Sequence, residues 1–302
     1  MGAAWNSERL CHNVEPRWEK DRILASIPPR SLRMADSNSC FSALKSALSH
    51  EVDLYWTPVT GSTNDDLKAK ARAGSFERPY LLAAGRQTAG RGTRGRVWRR
   101  VGRQLSFSLG IPVGVALRAL PPGLLSIAAA LGTARALTQA SKRSVYVKWP
   151  NDIWAEGGKA GGILLESVQD DAGRASLVIG VGLNLEVDEP GSTGSGWPIR
   201  APDFLVNPQD PEMQGELLAM VVDQVLESFE KLEKCGAGWI LKQWPLFDAF
   251  YGCEVLWREL DGEGSARGID RGIDTDGHLV VERRGAPGCR ILSGELASLS
   301  NN

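Results

Sequence analysis

Between residues 213 and 233 apolar side chains return every three or four positions: Leu217, Leu218, Val221, Val222, Val225, Leu226, Phe229 and Leu232, with charged residues between them. At helical pitch they fall on one stripe, which predicts an amphipathic helix with one buried face. "PPGLLSIAAALGTARALTQA" (121–140) is apolar nearly all round, so it predicts a buried helix with prolines at its start. "STNDDLKAKARAG" (62–74) predicts a shorter helix, capped by Ser62 or Thr63 and closed near Gly74. Strand patterns lie at 51–59, 79–87, 104–113, 144–149, 161–168 and 175–185. Helices packed on a mixed sheet, an α+β fold, follow from this alternation.

After residue 250 the texture changes to "CEVLWREL", "GEGSARGID", "GHLVVERRG" and "CRILSGELASL". Turn signals recurring every eight to twelve residues predict a small β-barrel of about fifty residues. The first 33 residues show no sustained period and no apolar signal core, and Glu8, Glu15, Glu19 and Asp21 argue against a transit peptide. The expected division is an N-terminal tail over 1–40, a main α+β region over 41–250 and the barrel over 251–302, with Met34 a candidate start.

Composition narrows the function classes. The chain has 302 residues, 42% of them apolar, enough for a sizeable core. No eighteen-residue apolar run exists, and the greasiest stretch, 124–137, carries Arg135, so no membrane partner is expected. The cysteines at 11, 40, 235, 253 and 289 and the histidines at 12, 50 and 278 have neither zinc nor disulfide spacing. No protein-held metal is expected, and reduced thiols point to a cytoplasmic setting.

Against a net charge of only −1, residues 86–103 hold seven arginines and no acidic residue. Within "AGRQTAGRGTRGRVWRR" (84–100), Gly90, Gly92 and Gly95 allow close backbone approach while Arg91, Arg94 and Arg96 offer planar donors for carboxylate or phosphate. Composition alone leaves an anion lid level with a solvated basic loop or an RNA contact that stacks bases on Trp98. Position favours the lid, because the run lies between two strands inside the domain.

"VKWPNDIWAEGGKAGGILLES" (147–167) supplies Lys148, Asn151 and Asp152 at a strand end and Lys159 beside Gly161 and Gly162, where a ligand could lie against the next strand. Taken alone, "GGKAGG" is a hairpin turn with a surface lysine, and it does not match a P-loop. "GSTND" (61–65) serves equally as a helix cap or as hydroxyls and an amide for a neutral polar head group. "IGVGLNLE" (179–186) reads as a core strand ending at Asn184, and Trp197 as a partly buried aromatic.

In this order the stretches "STND", "GRQTAGRGTRGRVW", "KWPNDI", "GKAGGILLE" and "GVGLNLE", followed by "ARGID", "DGHLVV" and "SGELASL", resemble the biotin–protein ligases over residues 52–300. The resemblance implies a core like that of class II aminoacyl-tRNA synthetases followed by an SH3-like barrel. It implies ATP-dependent attachment of biotin to one lysine of a biotin-carrier domain, such as that of acetyl-CoA carboxylase, through biotinyl-5′-adenylate. ATP, biotin and Mg²⁺ are the implied small-molecule requirements. A lipoate or octanoate ligase-transferase of the same superfamily is the rival enzyme.

Carried over residue by residue, the resemblance assigns biotin to Ser62, Thr63, Asn64, Gln87, Arg91, Gly92, Thr93, Lys159, Gly161 and Gly162. It assigns the nucleotide to Arg94, Trp98, Lys148, Asn151, Asn184 and Trp197, and catalysis to Lys159, Arg91 and Asp152, the last beside the incoming lysine amine. About fifty residues before the pattern leave no room for a DNA-reading module, so no specific DNA partner is expected, and the protein is expected as a monomer or homodimer. One position departs: Gly90-Arg91-Gly92-Thr93-Arg94-Gly95-Arg96 has Thr93 where the family carries a second arginine, with Arg94 the candidate to compensate.

Overall fold

The structure, a computed structural model, describes residues 37–99, 101–187, 191, 198–201, 210–258, 265–283, 288–292 and 294–297. The chain runs α1 (Ser37–Ala47), β1 (Asp53–Thr57), α2 (Thr63–Ala73), β2 (Tyr80–Ala84), β3 (Gln104–Pro112), the single turn α3 (Val115–Arg118) and α4 (Pro122–Ser141). There follow β4 (Tyr146–Lys148), β5 (Asp152–Ala155), β6 (Gly158–Gln169), β7 (Ala175–Asn184), α5 (Pro211–Cys235) and α6 (Ala237–Phe247). The C-terminal strands are β8 (Glu254–Arg258), β9 (Ser265–Ile273), β10 (Leu279–Glu282), β11 (Cys289–Ile291) and β12 (Glu295–Ala297).

Seven strands form a mixed sheet in the order β1-β2-β3-β7-β6-β5-β4, parallel at β1–β2 and antiparallel elsewhere. Five more form an antiparallel sheet in the order β11-β10-β9-β8-β12. The expected stripe on α5 is buried at all eight positions, and Asp210 caps the helix by accepting hydrogen bonds from the backbone N–H groups of Glu212 and Met213. Burial of each such side chain contributes roughly 1.5–3 kcal/mol. Against α5 lies α4, so close that a Cβ on Gly132 would meet the Gln224 carbonyl oxygen at 2.6 Å.

The two faces of the large sheet differ in kind. Leu105, Phe107, Leu109 and Ile111 of β3 and Leu177, Ile179, Val181 and Leu183 of β7 join α4 and α5 in the main core. Their neighbours in sequence, Ser106, Ser108 and Gly110 on β3 and Gly180, Gly182 and Asn184 on β7, lie on the opposite face. There α2 covers one end through Leu67 and Ala71, packed on Leu82, Val168 and Val178. Beside α2, the strip formed by Ser106 and Ser108 of β3, Gly180 and Gly182 of β7 and Gly162 of β6 carries only small side chains, with Leu164 at its edge.

Several elements depart from the sequence reading. Residues 37–40, expected in the tail, open α1, which packs on α5. A strand, β5, follows "KWPN", and the hairpin turn is Glu156-Gly157, both at positive φ, so that Lys159 stands in β6 and not in the turn. The helix α6 carries Pro245 in its interior and no side-chain cap, which removed its sequence signature. Buried residues of the C-terminal sheet, among them Val255, Trp257, Leu279 and Leu296, belong to the same core as α4 and α5. Trp149 Nε1 also donates to the Gly277 carbonyl oxygen across this joint, at 3.0 Å.

Candidate active site

A cavity of about 620 Å³ opens over the small-residue face of the large sheet. Its floor depends on glycine at two facing positions. Gly162 of β6 pairs with Gly182 of β7, and a Cβ on Gly182 would lie 2.7 Å from the Trp98 indole. Any side chain there would lift the indole off the sheet.

At one end, α2 begins with a dense set of short polar groups. Thr63 donates from its backbone N–H to Gln87 Oε1 at 2.9 Å, and Ser108 Oγ lies 2.7 Å from Thr63 Oγ1 and 2.6 Å from Asn64 Oδ1. Asn64 Nδ2 donates to Glu166 Oε2 at 3.0 Å and to the Leu164 carbonyl oxygen at 3.3 Å. Ser62 caps α2, as the sequence predicts, and lines the cavity as well.

In the middle stands Lys159. The register of β5 against β6 slips between Ile153 and Trp154, pairing Ile153 with Gly161 and Trp154 with Lys159. This bulge puts Lys159 on the same face as Gly162, although three positions separate them; in a regular strand they would face opposite ways. Lys159 Nζ lies 2.5 Å from Asp152 Oδ1 and 5.7 Å from the Trp98 ring centroid, and Lys148 Nζ lies 3.2 Å from Asp152 Oδ2. Burial pushes the Asp152 carboxyl up, but Lys159 and Lys148 outweigh it and hold the group at about 2. Two ammoniums around one carboxylate leave the centre one charge positive.

Residues 90–98 form a small hairpin over the cavity. Arg91 bridges to Val97, Gly92 N–H donates to the Arg96 carbonyl oxygen at 2.7 Å, and Trp98 N–H donates to that of Gly90 at 2.9 Å. Of the three glycines, only Gly95 is left-handed (φ 72°), and Arg94 beside it is too (φ 61°). Arg91 reaches back to Asp65 (2.5 Å) and Glu166 (3.4 Å). Trp98 lines the cavity, and its Nε1, held against Gly182, is buried without a hydrogen-bond partner among the described residues.

The structure thus gathers Ser62, Thr63, Asn64, Gln87, Arg91, Gly92, Thr93, Trp98, Asn151, Lys159, Gly162 and Asn184 around one cavity. It does not bring Gly161, Arg94, Lys148 or Asp152 to the wall. Gly161 faces Leu183 and Ile153, Lys148 and Asp152 lie behind Lys159, and the Arg94 guanidinium turns to the Gly294 carbonyl oxygen at 3.4 Å. Trp197 lies outside the described residues. Asn151 and Asn184 reach the cavity, but their amides are engaged by Ile163, Gln104, Lys159 and Arg200. Arg96, named in the sequence as one of the lid's donors, also lines the cavity, whereas sequence reasoning missed Gly180, Gly182, Phe107 and Ile199. The two glycines had a signal: together with Ser106 and Ser108 they alternate with apolar residues where a surface strand would carry charges.

The sequence profile of the Biotin/lipoate A/B protein ligase family matches residues 56–184, the stretch that supplies all of the cavity wall but Gly191 and Ile199. A biotin–[acetyl-CoA-carboxylase] ligase of Mycobacterium tuberculosis is 36% identical over 194 residues, covering 61% of this chain and 68% of the relative. The enzyme of that name from Paracoccus denitrificans is 31% identical over 240 residues, covering 77% of this chain and 95% of the relative. The chain belongs to the biotin/lipoate A/B protein ligase family. Biotin protein ligase from Aquifex aeolicus, solved with biotin and ATP, shares the fold (TM-score 0.61, 23% identity), covering 81% of this chain and 97% of the other. For a member of this family, the cationic centre, the polar end and the hairpin roof occupy one continuous space.

Proposed function

We propose that the protein attaches biotin to one lysine of a biotin-carrier domain, that of acetyl-CoA carboxylase or a related carboxylase, by way of biotinyl-5′-adenylate. In the first step an oxygen of the biotin carboxylate attacks the α-phosphorus of ATP, and the bond to pyrophosphate breaks. In the second the carrier lysine's amine attacks the acyl carbon, and AMP leaves with the anhydride oxygen. Magnesium comes with ATP, bound to its phosphates. Among the described residues, the carboxylates near the cavity are already engaged by cations, and the only metal-spaced group, Asp274, Asp276 and His278, lies in the turn between β9 and β10.

One observation carries the reading: a lysine with a second cation behind it stands under an arginine hairpin, next to a pocket of hydroxyls and amides. The polar end, with Ser62, Thr63 and Gln87, suits the hydrogen-bonding ring of biotin better than a dithiolane or an alkyl chain. Lys159 neutralises the carboxylate and then the phosphate oxygen, and the backbone of Arg91, Gly92 and Thr93 covers them. Asp152 pairs with both Lys159 and Lys148, so it aims Lys159 and stands next to the point where the incoming amine would arrive. An RNA-stacking role for Trp98 finds no support, since its indole lies on Gly162 and Gly182.

The same reading treats residues 41–250 as the catalytic unit, of class II aminoacyl-tRNA synthetase type, and 251–302 as an SH3-like barrel. It has no specific DNA partner and works as a monomer or homodimer in the cytoplasm. No described helix is long and apolar enough to cross a membrane. The test is incubation with biotin, MgATP and an apo carrier domain. A biotin-sized mass gain on a single lysine, lost in Lys159→Ala, is expected; gain only with lipoate or octanoate would overturn it.

A further inference from the structure

The two charge clusters of the site differ in what happens when a cation leaves to meet a ligand. If Lys159 turns to an anion, Lys148 still neutralises Asp152. If Arg91 turns away, Lys68 alone faces both Asp65 (2.9 Å) and Glu166 (2.7 Å), and one half-buried negative charge is left over. Lys159 is therefore free to serve the ligand, whereas Arg91 is held by the protein.

Glu166 sits where this hold meets the polar pocket. Its Oε1 accepts from Lys68 Nζ at 2.7 Å and from the Arg91 guanidinium at 3.4 Å; its Oε2 accepts from Asn64 Nδ2 at 3.0 Å. Asn64 is 3% exposed and its Oδ1 is already engaged by Ser108, so its amide has one orientation that satisfies both neighbours. A carboxylate at 166 enforces that orientation, because it can only accept.

We propose that Glu166 is a positioning residue that fastens the Arg91 hairpin to the floor of the head-group pocket and fixes the direction of the Asn64 amide. Through it, recognition of the ligand's ring and closure of the roof share one carboxylate. Arg91 acts in this scheme as the roof's fastener, and its guanidinium is not the cation that meets the reacting carboxylate. The inference rests on the ligase reading only where ligand is involved; the fastening itself is a property of the protein alone.

The test is a double-mutant cycle with Glu166→Gln and Arg91→Gln, read first on the protein without ligand. Trypsin cleavage after Arg94 and Arg96 should quicken about two- to five-fold in Glu166→Gln and more in Arg91→Gln, which also loses Asp65, and the double variant should be cut no faster than Arg91→Gln alone, as expected if Glu166 holds the hairpin through Arg91. With biotin and MgATP, Glu166→Gln should raise the KM for biotin by a similar factor and leave kcat within about two-fold, a split that general loss of structure would not give. Asp65→Asn, which removes the shorter but more exposed Arg91 contact, should quicken cleavage by a similar factor and provides the reading if Glu166→Gln does not fold. Cleavage as slow as in the native chain, or losses that add in the double variant, would overturn the proposal. A protein that makes no adenylate but shows the cycle would refute the ligase reading instead, leaving the fastening intact.

Discussion

Two groups of charges bracket the cavity, and they are built on different arithmetic. Asp65, Lys68, Arg91 and Glu166 balance to zero. Lys148, Asp152 and Lys159 carry an excess of one positive charge. A balanced cluster joins parts of a protein, while an unbalanced one is ready for a partner of opposite sign. The contrast shows that the number of arginines in a loop says little about which cation meets the ligand; what matters is how many internal carboxylates each already serves.

The comparison can be broken most forcefully at Asp152. Asp152→Asn would leave two ammoniums facing each other with little water, and should lower unfolding free energy by about 3 kcal/mol, read by urea denaturation at neutral pH. The pH sign follows from a carboxyl held at about 2: its contribution is present above the ordinary carboxylate range and fades as pH falls through about 4 towards 2. Acid titration of the native chain should show that loss, and the Asn variant should not.

Next in size is the cation itself. Lys159→Ala should cut biotin-dependent ATP–pyrophosphate exchange by about 10²–10³-fold, the usual cost of losing one preorganised charge partner. Arg91→Gln should cost far less; equal losses would erase the distinction between the two clusters. Thr93 offers a finer probe. Its Oγ1 accepts from Arg96 at 3.2 Å, and Arg94, the sequence's candidate for compensation, is directed to Gly294. Thr93→Arg should therefore slow escape of the adenylate by about ten-fold, within the range of one charge-assisted hydrogen bond, as measured by the rate at which label leaves the enzyme on a desalting column.

The contrast extends to an acid that has no cation beside it among the described residues. Asp270, in β9 at the joint with α6, is fully buried; its Oδ2 has no hydrogen-bond partner among the described residues, and its other oxygen accepts from Gly272 N–H at 2.7 Å. Burial and the neighbouring Asp248 push its carboxyl up to about 9. A raised folded value gives the opposite sign to Asp152: stability is full below about 4 and is lost as pH rises towards 9. Asp270→Asn should raise the melting temperature relative to the native chain at pH 8, and by less at pH 5, as read by thermal scans at the two pH values.

Much of this architecture was legible in the sequence because it is local. The α5 stripe, the Ser62 cap and the strands flanking the hairpin each announce themselves within a dozen residues. What escaped depends on contacts distant in sequence or on absent signals. Proline inside "GWILKQWPLF" disguised α6, and the bulge that turns Lys159 towards the cavity leaves no mark beyond the four glycines of "GGKAGG". Arg94 was assigned to the nucleotide because the run reads as one basic unit; its contact lies 200 positions away, at Gly294. The branching of Arg91 between Asp65 and Glu166 joins three separate elements, and no spacing rule connects them.

A binding surface made from missing side chains ages differently from one made of large ones. At Gly180 and Gly182 a single added methyl would collide with Asn64 or Trp98, so the tolerated alphabet there shrinks to one letter, while Ile179 and Val181, which alternate with them, face a core in which neighbouring aliphatics can exchange with local repacking. Deep mutational scanning across this strand should accordingly print a two-residue rhythm of forbidden and permitted positions, a ruler on which the ligand's resting place can be read without ever crystallising it.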